Sequence, residues 1–355
     1  MSRKFFISGG GTGGHFYPAL SVAEKFHKEQ FEPILIGAKK GIEGKKDFSF
    51  GEKKLFDMDY IIGKSFFNKI KSSSLLMKSV FKIISEIKKE KPLFSICFGG
   101  YTSLPLGIAS AITRTPLYIH EQNSYPSNTN ILLSKLAKKV FITFPFTQKL
   151  NGKNVIHTGI PIRESVLNKI NLSREKAREI LNIPDKKHIL VIGGSQGAKK
   201  LNETTIKLAE NMPDCFFTLI YGKRELPENI PENLKAIPFS DDVGTLYASS
   251  DFIISRAGSG TINELMAFGK YALYVPYPYA ASNHQYFNAK WLKDKGLSDI
   301  VLDSELTPPI AKEKIEEYFL KTEEEKENRK KELKSLVKLN SSDIIYENIV
   351  KDIQC

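Results

Sequence analysis

Phe5-Phe-Ile-Ser-Gly-Gly-Gly-Thr-Gly-Gly-His15, running into Phe-Tyr-Pro-Ala-Leu-Ser-Val-Ala-Glu-Lys25, decides the fold. Phe5, Phe6 and Ile7 form a short unbroken apolar run, as a strand buried on both faces requires. The glycines from Gly9 to Gly14 make a turn nearly bare of side chains, and a helix follows to about Lys28. A second short strand over 33–36 comes at strand–helix–strand distance. Further short apolar runs at 94–98, 117–120, 140–143 and 155–156, separated by helical stretches, imply a parallel sheet covered on both faces.

The plan then restarts. His188-Ile-Leu-Val-Ile192 is a buried strand, Gly193-Gly-Ser-Gln-Gly197 a second glycine turn, and 201–211 an amphipathic helix. Strands at 216–221, 252–255 and 271–275 continue it. The fold class is therefore α/β, with two doubly wound Rossmann-like domains facing a central cleft at the carboxyl ends of both sheets. Gly159-Ile-Pro-Ile-Arg163 breaks any regular element, so we expect a first domain at 1–158, a linker at 159–163 and a second domain at 164–338. A charged helical stretch at 313–338 precedes a last helix at 343–353.

A chain of 355 residues, 41% apolar and 26% charged, fits two globular domains. The three cysteines, Cys97, Cys215 and Cys355, are too scattered for a disulfide framework or a Cys-x-x-Cys metal site, which points to a reducing compartment. No stretch is long and apolar enough to span a bilayer, and the three apolar residues before Gly9 are too few for a signal peptide, so a cytoplasmic location is expected. The net charge of +12 is uneven: residues 1–158 hold 24 Lys+Arg against 11 Asp+Glu, leaving 28 against 29 in the remainder. Such asymmetry suits an anionic surface facing the first half. No helix-turn-helix, zinc or RNA-binding signature accompanies it, so nucleic acid is not the expected partner.

The first glycine turn satisfies Gly-x-Gly-x-x-Gly at Gly9, Gly11 and Gly14, but the second strand ends in Gly37-Ala-Lys39 without the acid a nicotinamide dinucleotide needs. What remains is backbone N–H at a helix start, suited to a diphosphate or a sugar. Gly63-Lys-Ser65 lacks the earlier glycine of a phosphate-binding loop of the ATPase kind, since Met58 stands there. A third turn, Ser255-Arg-Ala-Gly-Ser-Gly-Thr261, opens a helix carrying Glu264, a candidate for ribose hydroxyls. Gln285 and Asn288, three apart on a helix face, are uncharged amides suited to sugar hydroxyls. Gly99-Gly-Tyr-Thr-Ser103 and His120-Glu-Gln-Asn123 follow strands, like His15, and a histidine with a carboxylate can deprotonate an acceptor hydroxyl. Asp57-Met-Asp59 is a literal Asp-x-Asp, but it precedes Ile61-Ile62 and stands outside both glycine-turn units, so no metal site is assigned. Phe66, Phe67, Leu75 and Phe81, interleaved with Lys69, Lys71, Lys78 and Lys82, lie off the core face formed by Leu76, Val80, Ile83, Ile84 and Ile87, and suit contact with anionic lipid.

Taken together and in this order, Gly9–His15, Gly99–Ser103, His120–Asn123, Gly159–Arg163, Gly193–Ala198, Arg256–Glu264 and Gln285–Ala289 resemble the MurG family over essentially the whole chain. That resemblance implies a GT-B fold and inverting transfer of GlcNAc from UDP-GlcNAc to the 4-hydroxyl of MurNAc in undecaprenyl-diphospho-MurNAc-pentapeptide. It implies no metal and no cofactor beyond the donor. Donor contacts would come from Thr12, Gly13, Gly14, Asn123, Arg163, Ser195, Gln196, Ser259, Gly260, Thr261, Glu264, Gln285 and Asn288. Acceptor contacts would come from Gly13, Gly14, His15, Tyr101, His120, Glu121 and Asn123, with His15 as base and Glu121 as second candidate. Phe66, Phe67, Leu75, Lys78, Phe81 and Lys82 would touch the cytoplasmic face of the membrane, and the last helix, 340–355, would pack back on the first domain. Partners among cell-wall synthesis and division proteins would follow. Leu104-Pro105, Ser282-Asn283 and Ser259-Gly260 depart from the usual family pattern. A transferase glycosylating diacylglycerol, a UDP-sugar epimerase and a binding protein without turnover are the alternatives.

Overall fold

The computed structural model describes residues 3–59, 66–150, 152–194 and 196–354, with side chains of 66–72 outside the description. Two compact units emerge: Met1–Arg163 with Lys338–Cys355, and Glu164–Val337. The first holds seven parallel strands, β1 (Lys4–Ser8), β2 (Glu32–Ala38), β3 (Glu52–Phe56), β4 (Ser95–Cys97), β5 (Leu117–Glu121), β6 (Lys139–Ile142) and β7 (Val155–His157), in the order β3-β2-β1-β4-β5-β6-β7. Strand order reverses between β1 and β4, and the loops leaving their carboxyl ends open the crevice where ligands of such sheets bind. Phe5 and Ile7 face one core layer with Phe16, Phe26 and Phe94, and Phe6 faces the other with Ile83, Cys97 and Ile119. That two-sided burial is why β1 reads as an unbroken apolar run.

β3 lies outside the sequence expectation because it is an edge strand with no fully buried residue and two lysines in five positions. Lys54 of β3 pairs with Glu90 at 2.9 Å and with Glu86 at 2.5 Å, both on the helix Phe66–Glu90. This placement corrects the reasoning about Asp57, which directly follows a strand of the first sheet; its carboxylate forms an exposed ion pair with Lys39 at 2.9 Å. On the helix Phe66–Glu90, Val80, Ile83 and Ile87 are buried, as the spacing predicts. Lys78 and Lys82 are exposed, Leu75 is half-buried, and Phe81 is 65% exposed. The side chains of Phe66 and Phe67 lie outside the described residues. The last helix, Ser341–Gln354, belongs to this unit, with Ile345 and Ile349 in the core beside Phe5 and Phe26.

The second unit carries β8 (Lys187–Ile192), β9 (Cys215–Ile220), β10 (Leu234–Ile237), β11 (Phe252–Ser255), β12 (Ala272–Tyr274) and β13 (Asp299–Ile300), parallel and ordered β10-β9-β8-β11-β12-β13. Its reversal falls between β8 and β11. The stretch expected as one helix at 313–338 forms two, Pro308–Phe319 and Glu323–Leu336. Thr322 starts the second with a capping box: its hydroxyl accepts from Glu325 N–H at 3.2 Å while the Glu325 carboxylate accepts from Thr322 N–H at 2.8 Å. Among the described residues, no helix is long and apolar enough to cross a membrane.

Candidate active site

In the first unit the glycine turn leaves β1 and enters the helix Gly13–Lys28, whose N-cap Thr12 makes no side-chain capping bond. Gly11 takes φ +87°, open to glycine at little cost. Gly10 N–H donates to Thr102 Oγ1 at 3.0 Å, and Gly11 N–H to Glu43 Oε2 at 3.1 Å. Thr12 and Gly14 are exposed, Gly13 half-buried. The turn after β4 closes over it: a Cβ on Gly100 would sit 2.7 Å from the Gly10 carbonyl oxygen and 3.3 Å from the His15 ring. Tyr101 lies against Gly11, and burial raises its phenol above the ordinary range, with Glu43 and Asp59 adding to the effect.

Glu43 braces this turn and stands outside the sequence expectation. β2 ends at Ala38 without a carboxylate, and Glu43 comes five residues later on the short helix Ile42–Lys45 and folds back, fully buried. Its Oε1 accepts from Ala38 N–H at 2.9 Å. Gly10, Gly37 and Gly41 enclose it so tightly that a Cβ on any of them would collide with its side chain. Gly37 and Gly41 flank the acid in sequence, but only the fold brings Gly10 against it.

His15 is half-buried, its ring beside Gly99 and Gly100, and its Nδ1 lies 2.9 Å from Gln122 Oε1. His120, expected to line the site, is instead fully buried, stacked on Phe98 with ring centroids 5.3 Å apart. Burial holds its pKa down at about 4, so it is neutral. Glu121 is also fully buried. Oε1 accepts from Asn123 N–H at 2.8 Å, and Oε2 from Asn130 Nδ2 at 2.7 Å and Ser127 N–H at 3.2 Å. These bonds organise the loop from 121 to 130. Arg163 lies with its guanidinium 4.3 Å from the Tyr17 ring centroid.

Burial raises the Glu121 carboxyl from 4.5 to about 7 against the pull of these donors. The folded chain therefore keeps a proton there that the unfolded chain releases above pH 4.5. This contribution to stability is full below that pH and is lost as pH rises through about 7. Urea denaturation of the native chain and of Glu121→Gln is expected to show the native chain losing up to about 3 kcal/mol relative to the variant between pH 4.5 and 7.5. A constant difference across that range would refute the assignment.

In the second unit three turns leave the adjacent strands β8, β11 and β12. The first holds Gly194 at φ +81° and Gly197 at φ +73°, with Gln196 exposed; Ser195 lies outside the described residues. Behind it, Asn202 Nδ2 donates to the Tyr221 carbonyl at 3.1 Å, and Gly222 presses on the backbone of Gly197. The second turn opens the helix Ser259–Phe268 with Gly258 as N-cap and no side-chain cap. Ser259 is buried, while Gly260, Thr261 and Glu264 are half-buried. The Glu264 carboxylate accepts from Tyr247 OH at 2.8 Å, so its direction is set by a buried tyrosine absent from the sequence reading. In the third, Gln285 Oε1 accepts from Tyr277 N–H at 2.9 Å. Asn288 differs from the expectation of a sugar contact: it is fully buried, its amide 3.5 Å from the Ala257 carbonyl. Arg256 ties the second turn to the third by donating to the Val275 and Pro276 carbonyls, both at 3.1 Å, and pairing with Asp303 at 2.6 Å. A cavity of about 700 Å³ lined by Arg174, Lys187, Asp251, Lys270 and Lys330 opens at the opposite, amino-terminal edge of this sheet and shares no residue with these turns.

The glycosyltransferase family 28 N-terminal domain matches residues 5–142, and the C-terminal domain of the same family matches 188–344. Over 352 residues the chain is 49% identical to the UDP-N-acetylglucosamine--N-acetylmuramyl-(pentapeptide) pyrophosphoryl-undecaprenol N-acetylglucosamine transferase of Sulfurihydrogenibium sp., covering 99% of both chains. The chain belongs to the MurG family. The enzyme of the same description from Aquifex aeolicus is 41% identical over 92% of this chain and 94% of its own. Acinetobacter baumannii MurG superposes with a TM-score of 0.77 at 27% identity, over 98% of this chain and 99% of that one. Both units thus have the GT-B architecture of the MurG enzymes. A UDP-GlcNAc 2-epimerase from Neisseria meningitidis, TM-score 0.68 at 16% identity, shares the fold alone.

Proposed function

We propose that the chain transfers GlcNAc from UDP-GlcNAc, with inversion, to the 4-hydroxyl of MurNAc in undecaprenyl-diphospho-MurNAc-pentapeptide. The observation that carries the mechanism is the seating of His15: at an uncapped helix start, against the Gly99–Gly100 turn, with Nδ1 held by Gln122. His15 Nε2 takes the proton of the acceptor hydroxyl as that oxygen bonds to C1 of GlcNAc. The bond from C1 to the diphosphate breaks in the same displacement, and UDP leaves with the electron pair. N–H groups at the starts of the helices Lys199–Asn211 and Ser259–Phe268 take up the charge of the leaving diphosphate without a metal. Glu264, aimed by Tyr247, accepts from the ribose hydroxyls, and Gln285 faces the sugar. Gly13, Gly14, Tyr101 and Asn123 serve the acceptor. Glu121, buried and saturated with donors, shapes the loop, and His15 is the base.

The exposed Phe81 with Lys78 and Lys82 supports peripheral attachment to an anionic membrane, at the cytoplasmic face where the acceptor is presented. Proteins of cell-wall synthesis and division are the partners that this role entails. The test is transfer of radiolabelled GlcNAc from UDP-GlcNAc to a short-chain lipid-linked muramyl-pentapeptide in EDTA, with diacylglycerol as a parallel acceptor. Labelled disaccharide product in EDTA is expected. Label only in diacylglycerol would overturn the acceptor, and no transfer with UDP-GlcNAc still bound would overturn the reaction.

A further inference from the structure

A chain of hydrogen bonds runs inward from His15, and acceptor-only groups settle the direction of each link. Gly159 carbonyl oxygen lies 2.9 Å from His120 Nε2. A carbonyl cannot donate, so Nε2 carries the proton, and burial keeps His120 neutral with its lone pair on Nδ1. Gln122, 1% exposed, places its Nε2 3.1 Å from that Nδ1 and 3.1 Å from the His120 carbonyl oxygen. Both neighbours accept, so the amide nitrogen must face them. Gln122 Oε1 is thereby turned to His15, where it can only accept, and the 2.9 Å contact requires a proton on His15 Nδ1.

We propose that Gln122 is a positioning residue that fixes His15 in the tautomer with Nδ1 protonated and the lone pair on Nε2, through a relay anchored at the Gly159 carbonyl. The inference rests on the reading of His15 as base given above. An imidazole without that bond divides between its two tautomers, and only the one with the lone pair on Nε2 can take the acceptor proton there. The anchor is built from distant chain: the Gly159 carbonyl also accepts from Thr158 Oγ1 at 2.9 Å and from Ser341 Oγ, on the last helix, at 3.0 Å. Gly159 itself has φ +77°, and a Cβ there would lie 2.9 Å from Lys338 Cβ. The return of the chain at residues 338–341 therefore braces the inner end of the relay.

The test is ¹⁵N NMR of the histidine side chains in the full-length native chain, with the His15 signals identified by their loss in His15→Asn. The expected result is a protonated Nδ1 and an imine-type Nε2. A neutral His15 ring with Nε2 protonated and Nδ1 imine-type in the native chain would overturn the proposal without any variant. In Gln122→Met, of similar length and without polar atoms, the His15 signals are expected to move toward a tautomer mixture. Its kcat for transfer is expected to fall about 100-fold with KM for UDP-GlcNAc unchanged. An unchanged tautomer and kcat in the folded variant would also overturn it. Should the native chain fail to transfer GlcNAc, the functional reading fails while the tautomer measurement still decides the relay.

Discussion

His15→Ala is expected to lower kcat for GlcNAc transfer by about 10²- to 10⁴-fold, the range a positioned general base supplies. The acceptor hydroxyl is a weak nucleophile until its proton has somewhere to go, and of His15, His120 and Glu121 it is His15 that is only half-buried. His120 is sealed in the core, and both Glu121 oxygens serve N–H donors of their own loop. Stability should change little, because His15 lies in the first turn of the helix Gly13–Lys28 and alanine is a good helix former. Affinity for UDP, measured by calorimetry, should hold, since the turns proposed to hold the donor diphosphate belong to the other unit. Steady-state kinetics with the short-chain lipid acceptor checks the prediction. Turnover within threefold of the native chain would remove His15 from the mechanism.

Gly222→Ala should have the largest effect on the donor side. Gly222 has φ +75°, and a Cβ there would lie 2.2 Å from Gly197 N, 2.6 Å from Gly197 Cα and 2.8 Å from the Gly194 carbonyl oxygen. These three nearest obstacles are all backbone of the turn proposed to hold the diphosphate, so turning a side chain aside cannot relieve them. Left-handed strain of about 1–2 kcal/mol adds to overpacking of about 1–3 kcal/mol, a serious loss for a domain of ordinary stability. The turn must lift away from residues 221–222, and affinity for UDP is expected to drop at least tenfold along with the thermal midpoint. Gly296→Ala is the control, because Gly296 also has positive φ, +71°, but nothing stands within 4 Å of its Cβ. That variant should show the strain alone and bind UDP normally. Equal midpoints for the two would mean that contact with Gly197 contributes nothing.

Both predictions concern residues that local pattern treats unequally. His15 announces itself at the end of a glycine run between a buried strand and a helix. Gly222 sits in Tyr221-Gly-Lys-Arg224, which carries no signal, and gains its role only because β9 lies beside β8 and brings that loop against Gly197. Glu43 and Tyr247 were missed for the same reason. The acid is recognisable as a brace for the first turn only once β2 and the turn after β1 are side by side, and Tyr247 aims Glu264 from a separate helix. β3 escaped because an edge strand needs no apolar alternation when Lys54 can reach across to both Glu86 and Glu90.

By itself the sequence determined the doubly wound plan of each unit, the three helix starts suited to anions and the family. Those features are written in runs of ten or so residues, where burial on two faces demands an apolar strand and close backbone approach demands glycine. Only the tertiary structure decided which polar residues are buried and which proton each holds. His15, Gln122, His120 and Gly159 span more than 140 positions of chain yet form one relay, because β1, β4, β5, β6 and β7 lie in that order in the first sheet and their carboxyl ends share one edge. Hydrogen-bond direction depends on what sits within about 3 Å in space, and separation along the chain carries no record of that.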